Sequence, residues 1–238
     1  MASPTQLIEA VAKALNVPKV TIFQHDRFLV TAGYRKVAGR GRAAKVTPQD
    51  ASALLIVVAA SPISGPTVKA SLASFESYNC LFASDSDNQE ATSWAALKIL
   101  QDLPKVHTLH EAISAIIVLL ARGLPAHGGD IFENVPALVA QGQYYLDFTI
   151  SFEAPLPMAS IRIYANIYDP HSDQPERAEQ MTSEILYRPT ASMMASYLDD
   201  QSEIFSGIHV ISDFKQVRSF GIFTLQQIAR IFEVKATE

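Results

Sequence analysis

Histidine and acidic side chains occur in one grouping whose spacing suggests metal binding. His107 and His110 lie three residues apart, and Glu111 follows them. A helical zinc site of the His-Glu-x-x-His type instead has its histidines four apart, with the glutamate beside the first. A metal site also needs three or four ligands that an outer shell orients. We therefore expect ordinary surface or helix-capping histidines, and we predict no metal and no cofactor.

The other chemically suggestive segments lack the partners that catalysis requires. The His-Gly-Gly-Asp segment at 127–130 has no Gly-x-Ser-x-Gly elbow to accompany it. The Gly-Arg-Gly segment at 39–41 lacks the lysine and spacing of a phosphate-binding loop. Residues 199–200, both Asp, fit a solvated turn, and Cys80 stands among apolar residues and is expected in the core. We predict no catalytic residue and do not expect an enzyme.

Composition limits the class of protein. The chain has 238 residues, of which 48% are hydrophobic and 18% are charged. This length fits one large or two small domains, and so few charges exclude a disordered tail or a coiled coil. One cysteine excludes an intrachain disulfide framework. The longest apolar runs, 53–60 and 113–121, are shorter than the roughly 18 residues of a membrane span, and the first residues are amphipathic rather than signal-like. A globular cytoplasmic protein without membrane contact is expected.

Charge is distributed unevenly along the chain. Residues 1–45 contain eight Lys or Arg and two acids, which gives a net charge of +6. The remaining 193 residues contain 11 basic and 22 acidic side chains, which gives −11. A basic N-terminal part on an acidic body favours local contact with a polyanion.

The N-terminal pattern predicts two short helices joined by a tight turn. Leu7, Ile8, Val11 and Leu15 repeat at helical spacing after a Ser-Pro start at 3–4. Asn-Val-Pro at 16–18 ends this helix, and a second should run from Pro18 to about Ala32 and stop at Gly33. This arrangement is a helix-turn-helix, whose second helix is placed to enter a DNA major groove.

A basic hairpin is expected directly after the second helix. Segments 34–37 and 42–46 flank an Ala-Gly-Arg-Gly turn at 38–41, and glycine supplies the positive φ that a tight hairpin requires. A hairpin with this many cations would serve as the wing of a winged helix, holding phosphates or entering a minor groove.

At this point the sequence resembles a family. Residues 17–22 (Val-Pro-Lys-Val-Thr-Ile), 27–29 (Arg-Phe-Leu) and 32–34 (Ala-Gly-Tyr) are similar to the recognition-helix pattern of bacterial winged-helix transcriptional regulators, including prophage and mobile-element types. The resemblance covers about residues 5–60. It implies sequence-specific DNA binding next to a basic wing. Asp26 departs from the pattern, which has an apolar residue there, and this leaves a shift of about one position in the helical register open.

The outward face of the second helix supplies the candidate contacts. If Ile22, Leu29 and Gly33 face the core, Gln24 suits adenine, Arg27 suits guanine or a phosphate, and Phe23 suits a thymine methyl. Core packing of Val20 and Phe23 is the open alternative, and Lys13 and His25 are expected only at the rim. The residues predicted to contact DNA are Lys19, Val20, Thr21, Phe23, Gln24, Arg27, Arg35, Lys36, Arg40, Arg42 and Lys45.

The remainder of the chain predicts helices followed by a sheet. Thr47-Pro48 starts an apolar, buried helix, Val68 to Phe75 mark another, Trp94 to Leu103 a third, and Thr108 with Glu111 caps a fourth over 113–121. Period-two alternation predicts adjacent antiparallel strands at 145–152 and 161–168. Further short strands are expected at 185–187, 209–212 and 217–221, and a closing helix at 224–232.

The predicted architecture is an α+β fold in three parts. Residues 1–65 form a winged helix-turn-helix, 66–125 a helical linker or dimerisation region, and 126–238 an α+β domain with an antiparallel sheet.

Three functional hypotheses follow from the sequence. The first is a DNA-binding transcriptional regulator, a repressor acting as a homodimer on double-stranded DNA, with a protein partner or small effector on the C-terminal domain. The second is an adaptor that uses the same winged helix for protein contacts. The third is an enzyme with a polar pocket near His171, Asp173 or Asp213.

Overall fold

Two N-terminal helices begin the fold and define its first turn. The computed structural model describes residues 2–36, 45–61, 68–83, 103–104, 106–122, 144–154, 156–167, 179–193, 195 and 216–232. Helix α1 spans Pro4–Leu15 and helix α2 spans Lys19–Thr31. The Ser3 hydroxyl accepts the Gln6 N–H while the Gln6 side chain accepts the Ser3 N–H, so a capping box starts α1. The predicted Ser-Pro start is confirmed.

Left-handed backbone at two positions shapes the ends of these helices. Asn16 has φ 52°, and the next N–H, from Val17, donates to the Ala12 carbonyl at 3.0 Å. Gly33 has φ 81° just after α2, where the N–H groups of Tyr34 and Arg35 both donate to the Leu29 carbonyl. The predicted tight turn and glycine stop are confirmed.

Helix α3 spans Pro48–Ala60 and lies at the centre of the helical layer. Thr47 and Asp50 cap its start reciprocally. All residues from Ala51 to Val57 are buried, as their apolar character predicted. Because α3 is enclosed, it serves as the packing partner of α1 and α2 and not as a contact surface.

Helix α4 (Val68–Asn79) and helix α5 (Leu109–Ala121) complete the packing around α3. The Thr108 hydroxyl accepts the Glu111 N–H at the start of α5, as predicted. Just ahead of α5, the two-residue strands β1 (Phe82–Ala83) and β2 (His107–Thr108) pair antiparallel. These strands were not predicted, because two residues cannot display a period of two.

A four-stranded antiparallel sheet covers the other side of the core. From one edge to the other, its strands are β5 (Glu179–Tyr187), β4 (Met158–Ile167), β3 (Tyr144–Ala154) and β6 (Gln216–Gly221). Ile150, Ile161 and Phe220 are neighbours across the sheet and buried, whereas Thr149 and Arg162 point to the opposite, polar face. The predicted pairing of the first two long strands is confirmed.

The last helix returns the chain to the N-terminal helices. Helix α6 (Ile222–Ala229) follows β6 directly and continues into a 3-10 turn, Arg230–Phe232. Leu225 and Ile228 are fully buried where α6 packs on α1 and α5. The expected closing helix is confirmed, with its final turn tightened.

Polar contacts also tie the sheet to the helices. Arg218 on β6 donates from Nη1 to the carbonyls of Val58 (3.5 Å) and Ala59 (3.0 Å), at the end of α3. Burial lowers the pKa of this guanidinium. The Tyr78 hydroxyl donates to the Glu153 carbonyl, joining α4 to β3. A cation at a helix C-terminus complements unpaired carbonyls, so Arg218 helps to fix α3 against the sheet.

The described residues therefore form a mixed α+β fold, and several finer expectations lie outside them. The turn of the expected wing falls on 37–44, and the expected helix around Trp94 and strand at 209–212 also lie outside the described residues. Buried residues from all three predicted parts belong to one cluster. The winged helix-turn-helix and the three-part division stay predictions.

Gly33 provides a direct test of how α2 ends. A Cβ at this position would meet no heavy atom within 4 Å, so only the backbone resists substitution. We expect Gly33→Ala to lower the free energy of unfolding by about 1 kcal/mol, because left-handed φ is strained for alanine. Gly33→Asn should cost less, since asparagine tolerates this conformation. Urea denaturation measures both, and equal or greater stability of the alanine variant would contradict the assignment.

Candidate nucleic-acid interface

Helix α2 presents one mixed polar and apolar face to solvent. Ile22 and Leu29 are fully buried on its inner side. Val20 is 63% exposed and Phe23 is 53% exposed on its outer side. The five exposed side chains at 19, 20, 23, 24 and 27 share one stripe of a 3.6-residue helix. The predicted outward direction is thus confirmed for Lys19, Val20, Phe23, Gln24 and Arg27, and the core alternative for Val20 and Phe23 is wrong.

The start of α2 is suited to an anion. Pro18 occupies the N-cap position, and its side chain has no atom that could accept a hydrogen bond. The first turn contains no acidic residue. Uncapped N–H groups and the helix dipole favour negative charge at such an end. Lys19 stands at the same end and forms an exposed ion pair with Glu9 at 2.5 Å, which contributes little stability because both side chains are hydrated.

An ion pair accounts for Asp26, which stands where the winged-helix pattern has an apolar residue. Its carboxylate is 5% exposed and accepts a hydrogen bond from Arg35 Nη2 at 2.6 Å, and Arg35 is 6% exposed. Arg35 reaches it because the chain folds back after Gly33. The prediction that Arg35 contacts DNA is wrong, since its guanidinium is buried against Asp26. A one-position shift of the helical register is not needed.

His25 precedes Asp26 in the sequence and is also buried. Its ring packs edge-on against Phe28, with ring centroids 5.8 Å apart. Nδ1 has no hydrogen-bond partner among the described residues. Burial lowers the pKa of His25, because the charged ring loses water. The expected rim contact by His25 is wrong.

Tyr34 holds the segment after α2 against α4. Its hydroxyl donates to Glu76 Oε1 at 2.9 Å, and its ring packs edge-on against Phe75 at 4.8 Å. The hydrogen bond to Glu76 raises the pKa of Tyr34. Tyr34 thus fixes the backbone one residue ahead of the buried Arg35.

The structure describes only some of the remaining residues that were predicted to contact DNA. Lys36, Lys45 and Lys13 are exposed, whereas Thr21 is half-buried. Lys45 precedes Val46, whose N–H donates to the Ala2 carbonyl at 3.0 Å. Arg40 and Arg42 lie outside the described residues.

His107 and Cys80, to which the sequence assigned no function, differ from the prediction in their burial. His107 is buried, not at the surface, and its Nδ1 lies 3.0 Å from the Pro104 carbonyl while Nε2 lies 3.0 Å from the Tyr187 hydroxyl. Cys80 is exposed and not in the core, and it donates to the Glu76 carbonyl. Partial burial raises the pKa of Cys80, which disfavours the reactive thiolate.

A shallow cleft beside α5 gathers polar groups that are already engaged. It has a volume of about 310 Å³ and is lined in part by His110, Ser114 and Arg122. His110 Nε2 lies 3.0 Å from the Gln49 carbonyl, and the Ser114 hydroxyl donates to the His110 carbonyl. Among the described residues there is no group of three His, Cys, Asp or Glu side chains suited to a metal ion. The cleft offers no free acid, base and nucleophile together.

Comparison with known proteins leaves α2 as the main guide to function. The chain matches no protein-family model, no curated protein and no solved structure. In the part of the chain that the structure describes, no helix is long and apolar enough to cross a membrane.

Removing one partner of the Asp26–Arg35 pair should destabilise the fold. Arg35→Met would leave the carboxylate buried and unpaired, and we expect a loss of about 3 kcal/mol in the free energy of unfolding. Arg27→Met, on the exposed face of the same helix, serves as the control and should change it by less than about 0.5 kcal/mol. Urea denaturation measures both variants. Equal effects would contradict the burial of the pair.

His25 should make stability fall in acid. Its folded pKa lies below the unfolded value, so protons bind the unfolded chain first, and its stabilising contribution is lost as pH falls from the unfolded pKa towards the folded pKa. His25→Phe keeps an aromatic ring against Phe28 without a titrating group. We expect the stability of the wild type relative to this variant to decline between about pH 7.5 and pH 5.5. A difference that is constant over this range would contradict the assignment.

Proposed function

We propose that this protein is a sequence-specific DNA-binding transcriptional regulator that inserts the exposed face of α2 into the major groove. The observation that supports the proposal is the outward face of α2, held by packing against α1, α3 and α4. A major groove is wide enough to admit one α-helix with its side chains. As the DNA lies in the bacterial cytoplasm, the protein acts there.

The side chains on this face have the chemistry of base recognition. Gln24 can form paired hydrogen bonds with adenine, and Arg27 can do so with guanine or contact a phosphate. Phe23 and Val20 can contact the methyl group of thymine. Within α2, which is described in full, the exposed side chains include no acid, since Asp26 is buried. The face therefore attracts rather than repels a duplex.

Phosphate contacts supply most of the affinity in this proposal. Lys19 and the uncapped N–H groups lie at the start of α2, and the exposed Lys36 follows the residue that pairs with Asp26. Arg40, Arg42 and Lys45 add charge to the same stretch of sequence. Each phosphate neutralised releases a counterion, so binding weakens as salt rises.

The regulator acts as a homodimer and a repressor in this proposal. One recognition helix covers a half-site, and two copies related by a two-fold axis read an inverted repeat. A repressor needs only to occupy a promoter, which a DNA-binding face alone accomplishes. A protein partner or effector for the C-terminal part stays a prediction.

Protein binding is the second candidate function. The observation in its favour is the large exposed area of Val20 and Phe23, since exposed apolar side chains often mark protein interfaces. In that case α2 would pack its apolar residues against another protein, and the nearby cations would contribute little.

Removal of Arg27 tests the DNA interface. We expect Arg27→Ala to reduce the slope of log K against log salt by about one, because one phosphate contact is lost. The probe is a duplex that the wild-type protein selects from a random pool, and fluorescence anisotropy measures binding. Arg162→Ala, on the polar face of the sheet, removes the same charge and should leave the slope unchanged. Equal slopes for both variants would contradict the placement of Arg27.

A paired substitution separates the two candidate functions. DNA binding predicts that Arg40→Ala with Arg42→Ala weakens duplex affinity about tenfold or more at 150 mM salt, through lost counterion release. Protein binding predicts that this variant keeps full function, whereas Val20→Ser with Phe23→Ser abolishes it. Immunoprecipitation of bound DNA across the genome provides the readout in cells. Sharp peaks that disappear in the arginine variant support regulation, and unchanged activity of that variant supports the adaptor.

A further inference from the structure

Burial of the Asp26–Arg35 ion pair costs free energy, because both charged groups lose contact with water. One hydrogen bond joins Arg35 Nη2 to Asp26 Oδ2. Asp26 Oδ1, Arg35 Nε and Arg35 Nη1 are buried and have no hydrogen-bond partner among the described residues. Two charges lose their water here, and a single contact offsets only part of that cost. Stability is therefore a poor explanation for the pair.

Its location suggests a different role. Asp26 immediately precedes Arg27 on the exposed face of α2, and Arg35 immediately precedes the exposed Lys36. Between them, the left-handed Gly33 reverses the chain, and the N–H groups of Tyr34 and Arg35 share the Leu29 carbonyl. The ion pair closes this short loop and fixes where the chain leaves α2.

We propose that Asp26 and Arg35 are positioning residues that orient Lys36 towards the DNA backbone relative to the recognition face of α2. This inference rests on the proposed function. In this proposal the buried ion pair restricts its two elements to one arrangement, which apolar side chains would not do, so the pair contributes orientation at a cost in stability.

The test is the replacement of both charges by apolar side chains, Asp26→Leu with Arg35→Met. The double variant should unfold at the same or a higher urea concentration than the wild type. It should also reduce the slope of log K against log salt by about one, as Lys36→Ala does. Adding Lys36→Ala to the double variant should then change the slope no further, because the same contact is already lost.

Other outcomes overturn the inference. A folded double variant with the wild-type slope would show that the pair does not orient Lys36. A double variant that fails to fold would show that the pair acts through stability.

A measurement without DNA separates this inference from the proposed function. Spin labels at Gln24→Cys and Lys36→Cys, in a Cys80→Ser background, report the distance between the recognition face and Lys36. The distance distribution should be narrow in the otherwise wild-type protein and at least twice as wide with Asp26→Leu and Arg35→Met. Failure of the wild type to bind any duplex would end the proposed function, whereas equal widths would overturn the positioning role.

Discussion

Burial of helix α3 is the constraint on which the rest of the structure depends. Every side chain from Ala51 to Val57 is enclosed, so other elements must surround this helix. Helices α1, α2, α4 and α5 do so, and Arg218 closes its C-terminal end from the sheet. Because α2 directs Ile22 and Leu29 inward, its opposite stripe faces water. The candidate interface is thus a geometric consequence of the core.

That candidate interface combines apolar and cationic side chains. Val20 and Phe23 expose apolar area, while Lys19 and Arg27 provide positive charge at either end of the same stripe. A purely solvated helix would have polar residues there, and a core helix would have no charges. Both would suit a DNA groove, since base edges offer methyl groups and acceptors between two rows of phosphates.

Local signals made much of the fold predictable. Capping boxes at Ser3, Thr47 and Thr108 depend on residues three apart, and the alternation of β3 and β4 is visible in any short window. The environments of individual side chains were missed or misplaced. Arg35 looked like one more surface cation, because nothing in its neighbourhood reveals the fold back onto Asp26. Cys80 looked buried because its neighbours are apolar, although the end of α4 turns it outward. At the candidate site, helical periodicity predicted which face of α2 is exposed, but it did not predict the buried Asp26–Arg35 pair.

Photocrosslinking from the centre of the exposed face tests the main proposal most directly. The photoreactive residue p-benzoylphenylalanine would replace Phe23, and the labelled protein would be irradiated in cells before the adducts are separated. The account predicts that the main adduct is with double-stranded DNA, enriched at a few sites that contain thymine. An adduct dominated by one polypeptide, with no DNA above background, would contradict it.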